Sequence, residues 1–110
     1  MLSTAQWSTI RDLVAWLDSN NGRSQEEITL RILKITEETG EVAQAWIGVV
    51  GQNPRKGVTH TIADLQGEMV DVMVTVAVAL ASVTDDPAAV VDEKLAQIAA
   101  ARLNSATPTT

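Results

Sequence analysis

The chain has no cysteine, no phenylalanine, no tyrosine and a single histidine, His60. Without cysteine there can be no disulfide and no thiolate metal site. With Trp7, Trp16 and Trp46 as the only aromatics, the core must be built from Val, Leu, Ile, Ala and Met. Such side chains let helices pack closely, and each Trp is expected among them. Basic residues are also scarce: eight Lys and Arg stand against fourteen Asp and Glu, a net charge of −6. A chain this acidic gains little from attraction to polyanions, so nucleic-acid binding is not expected. A small anionic ligand held through a metal is compatible with the same balance.

Long hydrophobic runs are missing too. Met1 to Thr9 has neither the basic nor the apolar region of a signal peptide. The longest apolar stretch, Val72 to Ala81, is interrupted by Thr75 and falls short of the roughly 20 residues that a membrane helix needs. A soluble, cytoplasmic protein is therefore the expectation. The 110 residues, 45% of them hydrophobic, suffice for one domain with one core. That domain is expected over 1–103, with 104–110 as a disordered polar tail.

What is present reads as four helices. Trp7, Ile10, Val14 and Leu17 recur at helical spacing from about Ser3 to Asp18, and Asn20-Asn21-Gly22 closes the segment. Ser24-Gln25-Glu26-Glu27 has the form of a capping box, followed by Ile28, Ile32, Ile35, Val42 and Trp46 toward Val50. Gly51-Gln52-Asn53-Pro54 ends this second segment, and the linker after it, with Arg55 and Lys56, is basic in an acidic chain.

The third segment starts at Thr61-Ile62-Ala63-Asp64, a capping-box variant, and runs to about Val83. Its alternating Val70, Val72, Val74, Val76 and Val78 resemble a strand. The length of the apolar stretch and the cap in front of it favour a buried helix. Asp86 and Pro87 then form the preferred N-cap and first position of a fourth helix reaching about Leu103. Short loops between four helices imply an all-α, four-helix bundle. The third segment is apolar on nearly every side, which calls for a second subunit to cover it.

Two sets of carboxylates stand out. On the second segment, Glu41 projects about 40° and Glu38 about 100° from Glu37, so three glutamates share one arc. On the third, Glu68 and Asp71 are an i,i+3 pair about 60° apart. A carboxylate such as Asp71 inside an apolar helix is costly to bury alone. Facing acidic pairs repel unless a cation lies between them, and an all-oxygen cage suits Mg²⁺ or Mn²⁺. A solvated acidic stripe is the alternative for Glu37, Glu38 and Glu41. A di-iron site would need Glu-x-x-His motifs, and His60 lies in a loop, exposed and not i+3 from any Glu. Gly40 and Gly67, each just before a glutamate, are candidates for a close approach of helix or ligand.

The arrangement Glu37-Glu38-x-x-Glu41 followed by Glu68-x-x-Asp71 resembles the MazG-like all-α nucleoside triphosphate pyrophosphohydrolases, over Ile32 to Arg102. The resemblance implies an oligomeric four-helix fold, a homodimer or homotetramer, that binds Mg²⁺ through Glu38, Glu41, Glu68 and Asp71. It implies cleavage of a nucleoside triphosphate between the α and β phosphates. Lys94 and Arg102 are similar to the family's phosphate-binding positions, and the Asn usual between them is Ile98 here. Lys34 could meet phosphate or pair with Glu38 four residues on, and Trp46 could stack a base. Glu37 is the candidate to orient or deprotonate water. A non-catalytic helical bundle that binds a nucleotide or a partner protein is the alternative function.

Overall fold

Ser3, Ser24, Thr61 and Asp86 each stand immediately before a helix, and each side-chain oxygen accepts a backbone N–H of the first turn at 3.1 Å. These caps set the starts of α1 (Thr4–Asn21), α2 (Gln25–Val50), α3 (Ile62–Val83) and α4 (Pro87–Ala99), the last running into a π-helical turn, Ala100–Asn104. The computed structural model describes residues 1–104, which contain no strand. The tail expected to be disordered lies, from 105 onward, outside the described residues.

The helix ends follow the expected caps and stops, with differences at the end of α1 and the start of α2. α1 continues through Asn20 and Asn21 and is closed by Gly22 alone. Thr61 and Asp64 form the full capping box of α3, Asp64 Oδ2 taking the Thr61 N–H at 2.8 Å. The box expected at Ser24 is only half made, because the Glu27 carboxylate accepts from Arg31 Nε at 2.7 Å instead of turning back to the cap. α2 ends at Gly51, whose left-handed backbone (φ +66°) favours glycine.

α2 and α3 form an antiparallel hairpin. Arg31, near the start of α2, meets Ser82 at the end of α3, while Gly48 meets Thr59 and His60 just before α3 begins. Within the hairpin the valines of α3 do not alternate in burial: Val72 and Val78 are half-buried, whereas Val70, Val74 and Val76 are exposed. α1 lies on another side of α3, where Trp7, Ile10 and Ala77 make a small buried cluster flanked by Leu2, Val78, Ala81, Ala88 and Val91. The last two residues are the footing of α4.

The four helices do not close a core within one chain. Trp7 is buried, but Trp16 and Trp46 are 62% and 51% exposed, against the expectation that each Trp packs inside. Met69, Met73 and Val76 make an exposed apolar stripe on α3, and Val90, Leu95 and Ile98 are exposed on α4. The radius of gyration is 17.9 Å, whereas a compact chain of this length has about 13 Å. The stretch Val72 to Ala81, too short by itself to span a bilayer, lies within a 22-residue helix that is long and apolar enough to do so by length and composition. Glu68 and Asp71 lie in the same helix.

Candidate metal centre

Glu38 and Glu41 occupy successive turns of α2, and Glu68 faces them from α3. One carboxylate oxygen from each lies within 4.8 Å of the others. The hairpin positions this cluster: α2 buries Arg31, Ala45 and Gly48 along its contact with α3, and α3 buries Leu65, Ala79 and Ser82. Glu38 lies on that buried side of α2, its side chain 12% exposed.

The electrostatics of the cluster are strained. The charge of Glu38, and after it the contact with Glu68, push the Glu41 carboxyl above the usual carboxylate range. Glu68 Oε2 is buried and has no hydrogen-bond partner. A carboxylate with an orphaned oxygen, set among two more carboxylates, is an arrangement that a protein rarely tolerates without a counter-charge. Lys34 supplies part of one: its Nζ lies 3.3 Å from Glu38 Oε1. The hydrogen bond to Glu38, with the charges of Glu37, Glu38 and Glu41 around it, raises the Lys34 ammonium above its ordinary pKa. The donor set, three carboxylates from two helices with one oxygen unsatisfied, fits a hard divalent cation.

The remaining candidates stand outside this cluster. Asp71 is exposed in the single chain, although its neighbours in sequence are apolar. It follows Glu68 by one turn and is not among the three converging residues. Glu37 is exposed at the solvent edge of the same α2 arc. Lys94 and Arg102 are exposed on α4 and its π-helical turn, and among the described residues neither makes an ion pair. Trp46 projects about 140° around α2 from Glu41 and does not overhang the cluster of its own chain.

A Cβ on Gly40 or Gly67 would meet nothing within 4 Å, so neither glycine is needed for a close helix approach within this chain. The close approach is at Gly48, where a methyl group would overlap the His60 ring. His60 is therefore half-buried against α2 rather than exposed in its loop. Arg31, also not singled out, is the buried cation of the hairpin. Both positions depend on contacts between distant parts of the chain, and a sequence pattern confined to one helix carries no signal for them.

Compared with family models, curated proteins and solved structures, the chain matches none.

Proposed function

We propose that this chain is a Mg²⁺-dependent nucleoside triphosphate pyrophosphohydrolase of the MazG-like kind, working as a homodimer or homotetramer in which the helices complete a shared bundle. The observation that carries the reading is the convergence of Glu38, Glu41 and Glu68, with the buried Glu68 Oε2 left without a partner. Those three residues would hold the cation, Mg²⁺ or Mn²⁺, with Asp71, one turn further along α3, as the candidate fourth ligand. When bound, the ion offsets negative charge on the phosphate oxygens.

The chain's own groups do the rest. Glu37 accepts the proton of a water whose oxygen bonds to the α-phosphorus. The bond from that phosphorus to the bridging oxygen breaks, and pyrophosphate departs with the electron pair, leaving a nucleoside monophosphate. Glu37 returns its proton to solvent. Lys34, drawn to Glu38 in the free chain, exchanges that partner for a phosphate oxygen, and Lys94 and Arg102 add positive charge from α4.

A non-catalytic binding bundle is the second reading, favoured by the exposure of Asp71, which leaves only three carboxylates together. The two are separated by assaying pyrophosphate release from a panel of nucleoside triphosphates in Mg²⁺ and in EDTA. Release of pyrophosphate and monophosphate in Mg²⁺ alone is expected. No release from any member of the panel overturns the enzyme and leaves the binding bundle.

A further inference from the structure

The segment between α2 and α3 folds back onto the last turns of α2 and forms a pocket that polar side chains line together with Ile47 and the backbone of Gly48 and Gly57. The Gly48 carbonyl accepts the Thr59 N–H at 2.9 Å and the His60 N–H at 3.4 Å, which is possible because Gly48 has no side chain beneath the His60 ring. Lys56 and Gly57 close a turn on the Asn53 carbonyl at 3.1 and 2.8 Å. The cavity so formed measures about 350 Å³, and its polar lining is Gln44, Asn53, Lys56, Thr59 and His60, with no carboxylate. Asn53 Oδ1 is taken by the Arg55 N–H at 3.0 Å, which leaves the Asn53 amide NH₂ as its free end. Thr59 Oγ1 and His60 Nδ1 bond each other at 2.8 Å, so the donors the lining offers a ligand are the Lys56 ammonium and the Gln44 and Asn53 amides.

Its position matters as much as its lining. Gln44 and Gly48 lie about 60° and 20° around α2 from Glu41, and about 4.5 and 10.5 Å further along the axis. The pocket is the continuation of the stripe that carries Glu37 and Glu41. In this acidic chain Arg23, Arg31 and Lys34 are occupied in ion pairs. Lys56 makes no ion pair with a described residue and lines the pocket beside the cluster.

We infer that this pocket binds the pyrophosphate end of the substrate, with Lys56 as its charged contact and the Gln44 and Asn53 amides as supporting donors. The inference rests on the pyrophosphohydrolase reading above and adds a subsite to it. Phosphates extending beyond the cation are repelled by Glu37 and Glu41, and the pocket next along α2 is where their charge is matched. Arg55 is the internal contrast: it carries the same charge on the same loop but does not line the pocket.

The test is calorimetric titration of the full chain with inorganic pyrophosphate in Mg²⁺, together with steady-state turnover. Lys56→Ala is expected to weaken pyrophosphate about tenfold, the scale of one charge-assisted hydrogen bond, and to raise KM with little change in kcat. Arg55→Ala is expected to stay within about twofold of wild type, because a solvated loop charge is screened. Lys56 is exposed, so its loss does not threaten folding, and the melting temperature of each variant checks this. An unchanged affinity in Lys56→Ala, or equal losses in both variants, overturns the subsite. If the wild type turns over triphosphates while Lys56→Ala keeps its KM, the subsite fails and the enzyme stands. If pyrophosphate binds in a Lys56-dependent way but no triphosphate is hydrolysed, the subsite stands and the catalytic reading fails.

Discussion

Arg31 Nη1 donates to Ser82 Oγ over 3.0 Å, a buried bond that ties the start of α2 to the end of α3. The same guanidinium donates from Nε to Glu27 at 2.7 Å and from Nη2 to the Gly22 carbonyl at 3.1 Å, and it lies 3.0 Å from Asp18 Oδ1. One side chain, 4% exposed, therefore joins α1, α2 and α3 at the end of the hairpin opposite the loop. Arg23 doubles the link by donating to Asp18 and to the Ser82 carbonyl.

Removing the guanidinium leaves Glu27 and Asp18 without their buried counter-charge. Arg31→Met is expected to cost about 3 kcal/mol or more in urea denaturation, the range for breaking one partner of a buried pair. Arg31→Lys should recover only part, since an ammonium cannot reproduce the fork that serves four partners. Arg23→Ala, at a half-exposed side chain, should cost about 1 kcal/mol or less. A loss below about 1 kcal/mol for Arg31→Met would show that the three helices hold together without this junction.

Stability of the metal-free protein should pass through a maximum in mild acid. Glu41 is raised, chiefly by the charge of Glu38, so the folded chain binds its proton more tightly than the unfolded chain. Stability from Glu41 is therefore present at low pH and is lost as pH rises through its elevated value. Asp64 is lowered, first by the Thr61 backbone N–H. Asp18 is lowered as well: burial acts to raise it, and the hydrogen bonds and charges of Arg23 and Arg31 outweigh that effect. Their contribution is present above the ordinary aspartate value of 3.8 and is lost as pH falls through the lowered ones. Melting temperature should rise on acidification from neutrality, then fall below about pH 4. Saturating Mg²⁺ should flatten the upper limb, because a cation replaces the proton. A monotonic rise of stability toward neutral pH without metal would contradict the repulsion at Glu41.

Mg²⁺ itself should stabilise the fold, by about 2.7 kcal/mol at a hundredfold excess over Kd. Glu41→Gln and Glu68→Gln are expected to abolish most of this gain while leaving the metal-free protein as stable as wild type or more so, because each relieves repulsion. Asp71→Asn decides the fourth ligand: a weaker Mg²⁺ affinity in calorimetry places Asp71 on the ion, and an unchanged affinity leaves the site with three glutamates. An unchanged melting temperature for wild type with and without Mg²⁺ would remove the metal centre.

The helices were legible because their signals are local. Caps at Ser3, Ser24, Thr61 and Asp86 act within one turn, and so does the register that sets Glu38 beside Glu41. The pairing of Glu68 with them followed from opposing two acidic helices. Asp71 is exposed although its neighbours are apolar, because those neighbours line a face that one chain leaves open to water. On α2, Ile32 and Trp46 share helical spacing with the half-buried Ile28, Ile35 and Val42 yet are exposed, while Arg31 is buried. Hydrophobic periodicity marks what will be covered, without saying by which chain. The Gly48–His60 contact was illegible altogether, since it arises only when the loop returns to α2.

The exposed stripe predicts assembly. Met69, Met73 and Val76 on α3 adjoin an open apolar groove of about 620 Å³ between α1 and α3, lined also by Trp7, Ile10 and Leu13. Light scattering in buffer without detergent should give a dimer or tetramer of the 11.7 kDa chain. Val76→Glu should dissociate it, because a carboxylate at the centre of an apolar interface has no partner. A stable wild-type monomer at micromolar concentration would refute self-association. Recovery of the chain only from a detergent-solubilised membrane fraction would instead assign α3 to the bilayer.

Glu37 and Glu38 are adjacent in sequence and should fail differently. Glu38 is held in the cluster, 12% exposed and paired with Lys34. Glu37 projects about 100° away, exposed at the edge where a water can reach it. Glu38→Gln should lose Mg²⁺ binding and turnover together, since a neutral amide is a poorer ligand for a hard cation. Glu37→Gln should keep Mg²⁺ and nucleotide binding but slow pyrophosphate release by roughly 10²–10⁴-fold, the scale of general base catalysis. Its KM should change little, because the lost interaction belongs to the transition state rather than to substrate binding. Raising the pH should partly restore Glu37→Gln as hydroxide takes over the role of the side chain. Wild-type turnover in Glu37→Gln would transfer the base to another group, and parallel loss of Mg²⁺ binding would make Glu37 a ligand instead.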